Sequence, residues 1–272
     1  MLFRSIGSKE GKSGVLSGTL FGIYSLGIAT NCDSYNNNYS KAQLNKRVDI
    51  MIQDFLKQRA LWIGLGKPQD VEKLITVDET VLKWVRRTKR SLGRGLTPQT
   101  PENLIRPSMY RPFMKQWLYF EKIFNEERYQ FPRIFPLPET ENVVITVPSA
   151  GSNTTTFLAS DKIVDLNFVA SSSPVQCFPL YVYDEEGKQR KDNITDWGLE
   201  QFRNQYQDAS IEKLDIYHYV YGILHDPAYR EKYAANLKRE LPRIPLKKEF
   251  RAYTEAGKKR SEEHTSELQS LV

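Results

Sequence analysis

Between Glu79 and Glu102 the chain carries Lys83, Arg86, Arg87, Lys89, Arg90 and Arg94 and no acid. On a helix, Lys83, Arg87, Arg90 and Arg94 share one face at successive turns. Such a stripe can follow a phosphodiester backbone, releasing counterions and making affinity depend on salt. A solvated helix face is the alternative use of the same residues. Further on, Arg111 and Lys115 are interleaved with Tyr110, Phe113, Trp117, Tyr119 and Phe120, which joins cations to stacking surfaces. We expect Phe113 and Phe120 in the core, with Arg111 and Lys115 as phosphate contacts. Asn153, Thr154 and Thr155, inside a Ser152–Thr156 loop, offer short donors and acceptors to phosphates or to base edges in a groove; in an ordinary polar hairpin loop they would do neither.

Residues for bond-making chemistry are missing from the pattern. His218 and His225 lie seven residues apart near a helix end, with no carboxylate, serine or cysteine placed to complete a catalytic set. Both read as tucked or capping histidines. Gly11-Lys12-Ser13 imitates the end of a P-loop, but Ile6 stands where its first glycine must be. Glu186-Gly187-Lys188 imitates a nuclease E-x-K and is expected to be a hairpin turn. Cys32 and Cys177 lack companions at metal-ligand spacing, so neither zinc nor a disulfide framework is expected.

Several elements must position these residues. Ser40 is an expected N-cap for a long helix with Leu44, Val48, Met51, Ile52, Phe55 and Leu56 at helical spacing. The basic stripe is expected on a second helix from Asp78 to Ser91, ended by Gly93 and Gly95. Strands are expected at Val143–Val147 and Phe178–Tyr183, the second turning at Asp184–Lys188. From Trp197 the chain reads as helical. Ile216, Val220, Ile223 and Leu224 form one helix; Asp226 caps a second beginning at Pro227, with Tyr229, Tyr233, Leu237 and Leu241 on one stripe and stops at Pro242 and Pro245. The fold class is therefore α+β, a small β core with flanking helices and a helical C-terminal end.

The ends have a different character. Arg260–Ser270, RSEEHTSELQS, resembles translated sequencing-adapter DNA, and Met1–Ser5 matches the reverse complement of the same adapter. Residues 1–5 and 260–272 are accordingly set aside, and residues 6–259 are expected to be an internal piece of a longer reading frame. The formal charge of +6 over 272 residues favours polyanionic partners weakly. No run is long enough for a membrane span, and a reducing cytoplasm fits the cysteine usage.

The string from Leu214 to Leu246, LDIYHYVYGILHDPAYREKYAANLKRELPRIPL, resembles the C-terminal specificity region of Type ISP and related helicase-linked adenine methyltransferases. Tyr24-Ser25-Leu26-Gly27, Thr30-Asn31-Cys32-Asp33, Tyr110-Arg111-Pro112-Phe113, Leu118-Tyr119-Phe120, Ile134-Phe135-Pro136, Phe178-Pro179-Leu180-Tyr181 and Asn193-Ile194 match further landmarks in order. Cys32 stands where the family's commoner form has Arg. The resemblance implies residues 6–40 as the end of a methyltransferase-like domain, 41–246 as a target recognition domain and 247–259 as a basic tail. It also implies sequence-specific binding of double-stranded DNA for adenine N6 methylation, and cleavage, by upstream domains of the same bacterial polypeptide. S-adenosylmethionine, with ATP and Mg2+, would act in those domains and no cofactor in this chain, which lacks an N-P-P-Y/F or D-P-P-Y/F motif. The implied DNA contacts are Lys83, Arg86, Arg87, Arg90, Arg94, Arg111, Lys115, Asn153, Thr154 and Thr155. Two other readings stay open: a divergent self-contained methyltransferase or nuclease, and a helical docking module that touches no DNA.

Overall fold

The structure is a computed structural model describing residues 2–7, 12, 18–75, 78–184 and 186–270. Its elements begin with β1 (Leu2–Ser5), β2 (Ser25–Leu26), α1 (Asp33–Asn36), β3 (Asn37–Asn38), α2 (Lys41–Gly64), α3 (Arg86–Gly93), β4 (Ile105–Arg111), β5 (Met114–Tyr119) and α4 (Phe131–Ile134). Next come β6 (Val144–Pro148), β7 (Leu158–Ser160), β8 (Ile163–Val164), β9 (Val175–Pro179), β10 (Tyr181–Tyr183) and β11 (Arg190–Asp192). The chain then runs through α5 (Asp196–Tyr206), α6 (Lys213–His225), α7 (Pro227–Lys232), α8 (Ala234–Leu237), β12 (Arg243–Pro245) and α9 (Phe250–Ser270). This is the mixed α+β architecture the sequence indicates. Two compact units emerge: residues 1–27, 109–114 and 129–272 form the first, and residues 28–108 and 115–128 the second. Of the Gly11-Lys12-Ser13 tripeptide, Gly11 and Ser13 lie outside the described residues.

In the second unit, Ser40 caps α2 by accepting the Gln43 amide at 3.3 Å, as its position before the periodic run predicts. Leu44, Val48, Met51 and Phe55 are fully buried. The Phe55 ring stacks on Trp84 at 5.6 Å and meets Phe124 edge-on at 5.9 Å. The expected second helix is shorter than its charge pattern suggests. Asp78 instead closes a turn, accepting from the Thr80 amide and hydroxyl, and Leu82, Trp84 and Val85 are then buried along a non-helical stretch. The Val85 amide turns back to the Lys83 carbonyl and Val85 itself is extended, so only Arg86–Gly93 is helical.

The first unit is built on an antiparallel sheet in the order β2-β9-β6-β7, with Ile145 opposite Phe178 on one side and Ala159 on the other. The strand expected at Phe178–Tyr183 is two strands: β9 pairs with β6, a ladder that the Leu180 amide extends to the Val143 carbonyl, and β10 pairs with β11 from Tyr181 onward. Asn193 then stitches the neighbouring loops: its Nδ2 donates to the Ile23 and Pro179 carbonyls, and its Oδ1 accepts the Ile23 amide. Asp184 and Lys188 close the β10–β11 turn, as anticipated for Glu186-Gly187-Lys188.

Helix α6 buries residues from Ile216 to Leu224 on nearly every side. Asp226 caps α7 through the Ala228 amide at 2.9 Å, and the expected second helix breaks at Tyr233 into α7 and α8. The segment expected as a basic tail at 247–259 is a helix. Phe250, Thr254 and Gly257 lie at helical spacing on one buried face of α9, and α6 and α9 cross where Gly222 and Gly257 let the backbones meet. A Cβ on Gly257 would collide with the His218 carbonyl, and one on Gly222 with the Tyr253 carbonyl. Residues 260–270, set aside as adapter-like, continue α9 without a break, and Ser261 and His264 are buried.

Two outcomes follow from this crossing. Gly257→Ala is expected to destabilise the protein by about 1–3 kcal/mol through overpacking, read by chemical denaturation. His225 has a buried, unpaired Nε2, and its pKa is lowered to about 4 by burial, then by His264, Arg260 and Arg230. Its neutral form belongs to the folded state, so the stability it contributes is full above the unfolded value of about 6.5 and is lost as pH falls towards 4. The melting temperature should drop across that window, and His225→Phe should flatten the drop.

Candidate nucleic-acid interface

Helix α3 has no side-chain cap of its own and no acid in its first turn. Glu126, forty residues on, fills that gap. Its carboxylate accepts the Arg87 amide at 3.1 Å and the Arg86 Nε at 2.6 Å, which places negative charge at the positive end of the helix dipole. Arg87 also donates to the Glu126 carbonyl and the Glu127 carboxylate, and Lys89 reaches Glu72 at 2.8 Å. Thr88 ties the opposite face to the Ile123 carbonyl at 3.0 Å. At the other end the chain turns through Gly95 at φ +68, and Arg59 donates twice to its carbonyl, at 3.1 and 3.0 Å.

These contacts sort the expected stripe. Arg86 and Arg87 are bound to acids that lie outside the acid-free run. Lys83 lies before the helix and Arg94 is its C-cap, so Arg87 and Arg90 alone of the expected face are on the helix itself, and Arg87 is held by acids. Lys83, Arg90 and Arg94 are exposed, and among the described residues none has an ion pair. In the same unit Lys115 is half-buried on β5. Phe120 is in the core as expected, with Arg128 4.9 Å over its ring.

In the first unit Arg111 is committed internally. It pairs with Asp165, lies 4.1 Å over the Tyr110 ring and donates to the Tyr110 carbonyl. Phe113, expected in the core, is 49% exposed at positive φ. Pro112 and Phe113 form the turn between β4 and β5, where the fixed φ of proline is readily accommodated. The loop at 149–156 is held from below: the Gly151 amide donates to the Lys238 carbonyl at 2.7 Å, and Arg230 donates to the Thr155 carbonyl and hydroxyl at 3.1 and 3.3 Å. Asn153 remains exposed, and Thr154 and Thr155 are half-buried.

That contact brings in two residues absent from the sequence-based set. Lys238 and Arg239 are exposed next to the loop. Their neighbour Glu240 is occupied by Arg243 at 2.9 Å, so it does not oppose them. Their signal was present as adjacent cations in the Leu214–Leu246 string, but eighty-odd residues separate them from the loop. Beneath them a cleft of about 340 Å³ is lined by Tyr229, Tyr233, Asn236 and Leu237.

Neither cysteine is an activated nucleophile. Burial, then Asp33, push the Cys32 thiol up to about 12, and burial raises Cys177 as well. Both are free. Burial lowers His218, and Lys258 lowers it further. No metal-binding cluster occurs among the described residues.

The family model for the Type ISP C-terminal specificity domain matches residues 19–270. The chain belongs to this family. The specificity domain is similar to part of the DrdV protein in a cryoEM DrdV–DNA complex, at 33% identity and a TM-score of 0.85, covering 97% of this chain and 25% of that one. A nuclease-deletion mutant of the Type ISP restriction-modification enzyme LlaGI, in complex with a DNA substrate mimic, gives 29% identity and a TM-score of 0.81 over 97% of this chain and 23% of that one. The ATP-dependent Type ISP enzyme LlaBIII, bound to DNA, shares the fold at 23% identity and a TM-score of 0.80 over 97% of this chain and 17% of that one. The specificity domain thus spans a quarter or less of these proteins. No curated protein matches it. Its family model begins at residue 19, inside the segment expected to close a methyltransferase-like domain.

Removing the borrowed cap tests the local account. Glu126→Ala should destabilise the protein by about 1–2 kcal/mol, the worth of a helix cap with a charge-assisted hydrogen bond. Urea denaturation monitored by tryptophan fluorescence measures it.

Proposed function

We propose that this chain reads DNA sequence for a Type ISP restriction-modification enzyme, holding double-stranded DNA in register for adenine N6 methylation, and for cleavage, by other domains of the same polypeptide. Its membership of the specificity-domain family over residues 19–270 carries the reading. The target amino group of adenine is out of reach inside a duplex, so the base must leave the stack while another surface fixes the sequence position. This chain supplies that surface.

Within it, we assign backbone contacts to Lys83, Arg90 and Arg94 and to Lys115, and base-edge or phosphate contacts to Asn153, Thr154 and Thr155, with Lys238 and Arg239 beside them. Arg86, Arg87 and Arg111 act through their carboxylate partners, positioning α3 and the β4–β5 turn. The reading is supported by the distinction between paired and unpaired cations: a cation already held by a protein carboxylate releases few counterions when it meets a phosphate. S-adenosylmethionine, ATP and Mg2+ we assign to the remainder of such an enzyme, the relatives being ATP-dependent in the case of LlaBIII. Such a domain works where bacterial DNA is, in the cytoplasm. Among the described residues no helix is long and apolar enough to cross a membrane.

A salt titration of binding to labelled duplex DNA tests the proposal. The double variant Arg90→Ala/Arg94→Ala should weaken binding to every sequence alike and flatten the log–log salt slope by about 2, one for each lost phosphate contact. An affinity that does not respond to salt would sink the reading.

A further inference from the structure

The turn joining β4 to β5 presents an apolar point. Pro112 and Phe113 form it, and Phe113 has φ +63, the left-handed backbone that the third position of a type II turn demands and that glycine or asparagine fills with least strain. A phenylalanine there is strained and stays largely in solvent: Phe113 is 49% exposed and Met114 38%. Among the described residues its ring meets no other aromatic ring.

The support beneath this point is rigid. Met109–Met114 belongs to the first unit, where the Asp165 amide donates to the Met109 carbonyl at 3.0 Å and the Asp165 carboxylate pairs with Arg111. Asp165 is itself set by a close approach: a Cβ on Gly27 would strike its backbone carbonyl. The Arg111 guanidinium in turn sits over the Tyr110 ring. The result is a braced prong ending in Pro112, Phe113 and Met114, three side chains of the types that proteins drive between base pairs to unstack and kink a duplex.

We propose that Phe113, with Met114 beside it, is a wedge that enters the base stack of duplex DNA and opens a step, so that a neighbouring nucleotide can leave the helix. The idea rests on the DNA-reading function above and adds a second task to it. A base that must be modified outside the stack costs unstacking energy, and a wedge on the reading domain offsets that cost at a defined distance from the sequence being read.

The test uses the full-length chain and a labelled random-sequence duplex, either intact or with one central abasic site, where unstacking is already in place. The wild-type protein should bind the abasic duplex several-fold more tightly. Phe113→Gly should bind both duplexes equally, with an unchanged salt slope because no charge is removed. Its melting temperature should not fall, since glycine relaxes the turn, so a lost preference would not reflect misfolding. Equal wild-type affinity for the two duplexes, or a Phe113→Gly variant that keeps the preference, overturns the wedge while leaving DNA reading intact. A wild-type protein that binds neither duplex overturns both.

Discussion

A helix that is apolar on every face has to be covered on every face, and in the first unit that helix is α6. Ile216, Val220, Ile223 and Leu224 are buried beside Tyr217, Tyr219 and Tyr221. Each buried phenol needs a partner for its hydroxyl. Tyr217 finds the Val143 carbonyl at 2.9 Å, Tyr219 the Pro245 carbonyl at 2.7 Å and Tyr221 the ring of His264. These bonds set the neighbours as well as the helix. The sheet strand β6 must lie on one side, the segment through Pro245 must return along another, and α9 must close the remaining face. Tyr229 repeats the device on α7, donating to the Arg243 carbonyl at 3.0 Å. The loop at 149–156 gains its position from the same arrangement, because Lys238 and Arg230, which hold it, hang from α7 and α8.

In the second unit the organising term is electrostatic. An eight-residue helix with four cations, no cap and no acid is a poor helix on its own. Glu126, Glu127 and Glu72 make it stable in place, and the Thr88 hydrogen bond to Ile123 and the buried Leu92 seat it. A consequence for function is that the same carboxylates decide which cations remain available to a polyanion. Exposed charges such as Arg90 and Arg94 are worth little to stability, which leaves them free to serve binding.

Legibility differed between elements for identifiable reasons. Helix α2, the caps at Ser40 and Asp226 and the turn at 184–188 were readable because a cap or a helical stripe is a local pattern, and their hydrogen bonds close within a few residues. The family assignment was readable because the Leu214–Leu246 string and the landmarks before it keep their order. Helix α3 was over-extended, since charge periodicity does not reveal that Asp78 closes a turn with Thr80 and that the chain stays non-helical up to Val85. Phe113 was misplaced because density of aromatics predicts a core, whereas its position at the β4–β5 turn leaves it 49% exposed. Lys238 and Arg239 were passed over because the loop they border lies far away along the chain.

Composition and local pattern by themselves determined an α+β chain, rich in cations, in the specificity-domain family. Local interactions suffice for that, because helix spacing, caps and turn residues act over a handful of positions. Only the tertiary structure decided which cations are spent on internal carboxylates and which face outward, and that Phe113 stands on a braced turn. It also decided that residues after 250 form a helix fitted to α6 through Gly222 and Gly257. Pairing of charges and close approach of backbones depend on distances between residues far apart in sequence, such as Arg86 and Glu126 or Gly257 and His218, and folding alone sets those distances.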